Sequence, residues 1–60
     1  MPLRTGLVSL NFWRKLLEEA NDDQVRQLVV HARRNHTLEP RWKDHVIVAE
    51  SIAMERGIEI

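Results

Sequence analysis

The sequence contains no cysteine and no tyrosine, and only two glycines and two prolines among sixty residues. Without cysteine, neither a disulfide nor a thiolate ligand for a metal can form. The scarcity of glycine and proline, together with an apolar content of 43%, excludes a disordered or low-complexity chain. We therefore expect one small folded domain spanning residues 1–60. A cytoplasmic location is the default expectation for a chain with no cysteine and no export signal.

Long hydrophobic runs are also missing, since no apolar stretch approaches the roughly 20 residues of a membrane span. We therefore expect no membrane partner. The formal charge is zero, with nine basic and nine acidic residues, but it is unevenly spread. Residues 24–43 include five basic residues and a single acidic residue, Glu39. The acidic residues that balance this charge lie before and after this segment in the sequence. A dedicated nucleic-acid domain usually carries a clear overall basic excess, which this chain lacks.

The short length limits how stable the fold can be on its own. Folding removes about 6,000 Å² of surface from water. If about 60% of that area is apolar, its burial contributes about 90 kcal/mol. Ordering the chain costs about 90 kcal/mol at about 1.5 kcal/mol per residue. Because the two terms cancel, contact with another protein surface, including a second copy of the chain, is expected to contribute to stability.

The spacing of apolar residues predicts an all-α fold, a small three-helix bundle with helices at about 11–20, 23–35 and 38–56. At 100° per residue, one stripe of the first helix contains Phe12, Trp13, Leu16, Leu17 and Ala20. The second and third helices show the same periodicity. Short extended arms are predicted at 3–10 and 58–60, where the last residues alternate like a strand that pairs with residues 7–10.

Polar residues at the expected helix ends predict how each helix starts and stops. Asn11 is expected to cap the first helix, and the Asn21-Asp22-Asp23 break to supply the next cap. Thr37 or Glu39 is expected to start the third helix. Gly57 is expected to end it, with Arg56 favourably placed in its last turn.

The residues that most often carry chemistry form no recognisable site. The three histidines, His31, His36 and His45, include no pair at the i, i+4 spacing of a helical zinc site. His45 lies on the apolar stripe of the third helix, which predicts partial burial. No hydroxyl lies in a nucleophile elbow, and no glycine-rich loop can hold a phosphate. We therefore predict a protein without catalytic activity, metal or cofactor.

Two features outside the apolar stripes predict a docking surface. Three arginines of the second helix point away from its stripe, with Val30 among them. On the third helix, Ile47 and Met54 lie seven residues apart and project from a second side. An exposed apolar centre ringed by arginines is typical of a surface that meets another protein. The predicted partner-binding residues are Arg26, Val30, Arg33, Arg34, Ile47 and Met54.

These features support two functional hypotheses. The first is a small protein-interaction or regulatory module that self-associates through the third helix as a homo-oligomer. The alternative is a small dimeric nucleic-acid-binding protein of the transcription-regulator kind. It would use a basic surface made of Arg26, Arg33, Arg34, Arg41 and Lys43.

The first half of the chain resembles one DNA-binding family in outline. An apolar arm at Val8-Ser9-Leu10 leads into an amphipathic helix, and a second helix with Arg26 and Leu28 follows. This order is similar to that of the ribbon-helix-helix repressors. The resemblance implies a dimer that pairs two strands and lays them in the DNA major groove. The arm does not alternate cleanly, the turn between the helices is shorter, and the third helix has no counterpart, so no DNA-contacting residue is carried over.

Overall fold

A computed structural model describes residues 7–60, and most of these residues lie in three helices. Helix α1 spans Leu10–Glu19, α2 spans Asp22–Leu38 and α3 spans Lys43–Glu55. One 3₁₀ turn, Pro40–Trp42, leads directly into α3. The all-α, three-helix prediction is confirmed.

The predicted extended arms do not pair as strands in the described part of the chain. Residues 3–6 of the first arm lie outside the described residues, 7–9 are irregular, and Leu10 already belongs to α1. At the other end Gly57 adopts a φ of +75°, which turns the chain back after α3. The Ile58 N–H then donates to the Ala53 carbonyl at 2.9 Å, and the Ile58 side chain is buried in the core. The apolar tail therefore closes the helix end, as in a Schellman motif.

Helix α1 begins one residue earlier than predicted because its cap is Ser9 and not Asn11. The Ser9 hydroxyl accepts a hydrogen bond from the Phe12 N–H at 3.2 Å. A serine at this position satisfies an amide that has no partner within the helix. The cap predicted within the Asn21-Asp22-Asp23 break is Asn21, and its side chain and that of Gln24 form a reciprocal capping box.

Helix α2 continues three residues past the predicted end at Asn35. The Thr37 hydroxyl donates back to the Arg33 carbonyl at 3.0 Å, so this threonine extends α2 and does not start the next helix. The last residue of the helix is Leu38, and the next residue, Glu39, has an extended backbone with φ −139° and ψ 109°. The cause is Pro40, whose ring disfavours helical geometry in the preceding residue. Glu39 flanks the 3₁₀ turn without a side-chain capping bond.

Contacts between the helices fix their directions. The Trp13 indole N–H donates to the His45 carbonyl at 2.9 Å near the start of α1 and α3. At the other end, the Arg56 guanidinium donates to the carbonyls of Leu17, Glu18 and Ala20 at 2.7 to 3.2 Å. Helices α1 and α3 therefore run parallel, and α2 runs antiparallel to both. Arg56 was expected to serve its own helix; instead it caps α1.

The core lies where the three helices and the tail meet. Its buried apolar residues are Trp13, Leu17, Val25, Val29, Ala32, Trp42, Ala49, Ala53 and Ile58. The two indole rings meet edge to face, with centroids 5.7 Å apart, a favourable arrangement for an aromatic pair in a core. The first apolar stripe is wider than the surface it packs against, since Phe12 is 55% exposed and Leu16 39%. The apolar stripe predicted for the first helix is therefore only partly buried.

Replacing Arg56 with alanine should destabilise the fold more than any other surface arginine. The substitution leaves the carbonyls of Leu17, Glu18 and Ala20 without their charged donor, so the free energy of unfolding should fall by about 1.5–3 kcal/mol. Urea denaturation followed by circular dichroism measures this. Arg34→Ala is the matched control, with an expected change within about 0.5 kcal/mol. Equal effects of the two substitutions would contradict the capping role.

Replacing Gly57 with alanine tests the chain reversal after α3. A Cβ at this position meets no heavy atom within 4 Å, so any cost arises from the backbone conformation alone. At φ +75° we expect a loss of about 1 kcal/mol in unfolding free energy. Thermal denaturation gives the value. An unchanged or raised melting temperature would show that the tail does not require this conformation.

Candidate interaction surface

An ion pair joins the outer edges of α2 and α3. The Arg33 guanidinium donates through two nitrogens to one Glu50 carboxylate oxygen, each at 2.8 Å. A planar guanidinium held at two points fixes its partner more firmly than an ammonium would. This pair is the polar centre of the surface that we name the α2–α3 surface, which consists of Val30, Arg33, Ile47, Glu50 and Met54.

Three large apolar side chains surround this ion pair. Val30 is 43% exposed, Ile47 49% and Met54 73%. Val30 precedes Arg33 by three residues and Met54 follows Glu50 by four. Because α2 and α3 are antiparallel, these two side chains extend in the same direction from the ion pair. Ile47 lies three residues before Glu50, toward the start of α3. The apolar residues therefore share one outer face across two helices.

The remaining predicted partner-binding residues lie at the border of this surface. Arg26 is one turn before Val30 and forms an exposed ion pair with Asp23 at 3.8 Å. Arg34 lies about 180° from the buried Val25 at 100° per residue, which places it opposite the core-facing stripe of α2. Helix geometry thus places Val30, Arg33, Ile47 and Met54 on the outer side of α2 and α3, with Arg26 and Arg34 on the flank.

The basic residues of the nucleic-acid alternative are largely neutralised within the chain. Arg26 pairs with Asp23, Arg33 with Glu50, and Arg41 with Glu39. Among residues 7–60, Arg34 and Lys43 form no ion pair. A phosphate backbone would therefore compete with carboxylates already in place. The strand implied by the ribbon-helix-helix resemblance is not formed at residues 7–9, and α1 begins at Leu10.

Two open grooves flank α1, and the sequence analysis identified neither of them. The groove between α1 and α2 has a volume of about 640 Å³ and an apolar floor of Leu16, Ala20 and Leu28. The groove between α1 and α3 is smaller, about 420 Å³, and Ile47 and Ser51 line it. Leu16 and Leu28 fall on the helical stripes, so sequence periodicity alone places them in the core. The second groove borders the α2–α3 surface at Ile47 and extends its apolar area.

His45 is buried in the core between the two tryptophans. Only 4% of this residue is exposed, and its ring lies against Trp13 and Trp42, with centroids 5.5 and 5.2 Å away. Its Nε2 lies 2.7 Å from the Val8 carbonyl oxygen, a distance at which the ring N–H donates to it. Nδ1 is buried and has no hydrogen-bond partner in the described chain. His45 was predicted to be partly buried, and in the structure it is almost completely buried.

The other histidines lie apart from it. His31 meets the Trp42 ring edge to face at 5.5 Å, and His36 is exposed in the last turn of α2. In residues 7–60, no three side chains of the metal-ligating types are grouped closely enough to hold an ion. None of the helices in this part of the chain is both long and apolar enough to cross a bilayer.

Comparison with known proteins places no further constraint on this surface. No protein-family model matches the chain, and no curated protein and no solved structure is significantly similar to it. The geometry and the charges of the α2–α3 surface are therefore the basis on which a function can be inferred.

Duplex DNA provides a direct test of the basic alternative. Because three of the five cations are paired within the chain, we expect no retarded complex in a mobility-shift assay at low ionic strength. Arg34→Glu should leave that result unchanged. A complex that forms at low salt, dissociates steeply as salt rises and is lost in the Arg34→Glu variant would support the alternative.

Proposed function

We propose that this chain is a small protein-interaction module that self-associates through its third helix. The observation that carries the proposal is the exposure of Ile47, Met54 and Val30 on one face, around the Arg33–Glu50 ion pair. Single exposed apolar residues are common on protein surfaces and need no explanation. A cluster of them with a polar centre and charged borders is typical of an interface.

The modest size of the core supports the same proposal. Of its nine buried apolar side chains, three are alanines, which contribute little area to burial. A chain of sixty residues therefore gains much from covering a further apolar surface with a partner. Association would stabilise the folded state by mass action, so the melting temperature would rise with protein concentration.

The composition of the surface fits protein recognition better than nucleic-acid recognition. Methionine and arginine are enriched at protein interfaces, and methionine adapts its shape to the partner. Three of the five cations that would contact phosphates, Arg26, Arg33 and Arg41, are engaged with Asp23, Glu50 and Glu39. We propose the cytoplasm as the location, on the basis of the cysteine-free sequence.

Lysine substitutions in α3 test self-association. We expect the wild-type chain to show a concentration-dependent mass in sedimentation equilibrium, with a dimer at high concentration. Ile47→Lys and Met54→Lys should each shift the chain to monomer because they place a charge in the apolar contact. The urea denaturation midpoint of the dilute monomer should change little, since both side chains are exposed.

Leu38→Lys is the matched control. Leu38 is 86% exposed, more than either α3 residue, but it lies at the end of α2, outside the α2–α3 surface. This variant should associate like the wild type. If the wild-type chain stays monomeric at every concentration, or if Leu38→Lys disrupts the assembly as much as Met54→Lys does, the proposal is wrong.

A further inference from the structure

The fold separates charge along the helix axes in a way that the linear sequence does not show. Basic residues occupy the middle of the sequence, and acids lie on both sides of it. Because α1 and α3 run parallel and α2 runs back between them, both acidic segments meet at one end. This acidic half contains Glu18, Glu19, Asp22, Asp23, Glu55 and Glu59, against the cations Arg26 and Arg56.

The opposite half is basic. It is formed by the second half of α2, the 3₁₀ turn and the start of α3. Its cations are Arg33, Arg34, Arg41 and Lys43, against the acids Glu39, Asp44 and Glu50, the last of which pairs with Arg33. The chain as a whole is neutral, yet each half carries a net charge of opposite sign. Two copies that run antiparallel would bring each basic half over an acidic half.

The ion pairs leave charge available for such a contact. In the acidic half Asp22 pairs with Arg56 and Asp23 with Arg26. Within the described residues, the four glutamates of this half, Glu18, Glu19, Glu55 and Glu59, are not in ion pairs. In the basic half, Arg34 and Lys43 are likewise not in ion pairs there. Complementary charge of this kind speeds encounter and selects orientation more than it adds affinity.

We infer that the partner of the α2–α3 surface is a second copy of this chain, related by a two-fold axis that makes the two α3 helices antiparallel. The inference rests on the proposed self-association and specifies its geometry. Ile47 of each copy packs against Met54 of the other, and the axis passes between positions 50 and 51. A two-fold contact of this kind is self-complementary and closes at the dimer.

The dimensions of the molecule allow this arrangement. The described chain measures 36 × 21 × 17 Å. A side of 36 × 21 Å has an outline of roughly 750 Å², so a standard interface of roughly 800 Å² per partner would cover most of one side of the molecule. At the axis, the Glu50 carboxylate of each copy is already neutralised by its own Arg33. Ser51 lies next to Glu50 at the axis, and its side chain is small enough to let the two α3 helices approach closely.

Single cysteines test the geometry, since the chain has none of its own. In the antiparallel dimer the two copies of Ser51 lie beside the axis, offset by only about 1.5 Å along it. Ser51→Cys should therefore form a disulfide-linked dimer in high yield under mild oxidation, because adjacent helices bring such residues within disulfide range.

Asp44→Cys is the control that separates the two orientations. Asp44 lies seven residues before Ser51, on the same side of α3, and both are exposed. In the antiparallel dimer its two copies are about 20 Å apart along the axis, so this variant should stay monomeric on a non-reducing gel. In a parallel dimer the two variants would link equally well.

The outcomes are distinguishable. We expect the Ser51→Cys variant to cross-link and the Asp44→Cys variant to stay monomeric. The dissociation constant of the wild-type dimer should rise severalfold as salt is added. If both variants cross-link, or if added salt tightens the dimer, the antiparallel charge pairing is wrong while self-association stands. If the wild type dimerises and neither variant links, a different surface is used and this geometry is wrong. A wild-type monomer under all conditions overturns the proposed function itself.

Discussion

The alignment of α1 with α3 depends on Arg56. Its guanidinium reaches from the end of α3 to three carbonyls at the end of α1, and it also lies 3.5 Å from the Asp22 carboxylate. Carbonyls at a helix C-terminus carry partial negative charge and attract a cation; of these three, only that of Leu17 also accepts a backbone N–H in the described chain, from Ala20. By holding two helix ends and the start of α2 together, one side chain brings most of the acidic residues of the protein to the same end.

Much of the fold follows from local sequence signals, because these signals have short-range physical causes. Periodicity predicts an apolar stripe on the third helix that consists of Trp42, His45, Val46, Ala49, Ile52 and Ala53. Four of these residues are buried, and Val46 and Ile52 are partly buried against the core. Gly57 could be identified as a helix stop because only glycine adopts a positive φ without steric cost. At the end of α2, two local signals favoured different helix boundaries, and the steric constraint of proline determined the outcome. Pro40 ends α2 through its effect on Glu39, so the polar residues before it remain helical.

Other features depend on how the helices pack against one another, and sequence periodicity contains no information about that packing. A helical stripe shows which side of α1 is apolar, but not that Phe12 and Leu16 lie beyond the reach of its neighbours. The Arg33–Glu50 pair joins residues seventeen positions apart on different helices, so their partnership cannot be read from local spacing. Two members of the candidate surface, Ile47 and Met54, were identifiable because the first stripe of α3 left them unexplained. Their proximity to Val30 followed only from the antiparallel run of α2 and α3.

The tryptophan fluorescence of this protein reports on its interior, because Trp13 and Trp42 pack edge to face in the core. Both indoles are buried, and the sequence has no tyrosine, so near-ultraviolet emission of the protein comes from the core. The candidate surface, formed by aliphatic, methionine and charged side chains, contributes no fluorophore. Tryptophan fluorescence therefore follows the loss of internal packing, while a change in molecular mass follows association, and the two processes can be observed independently in one unlabelled sample.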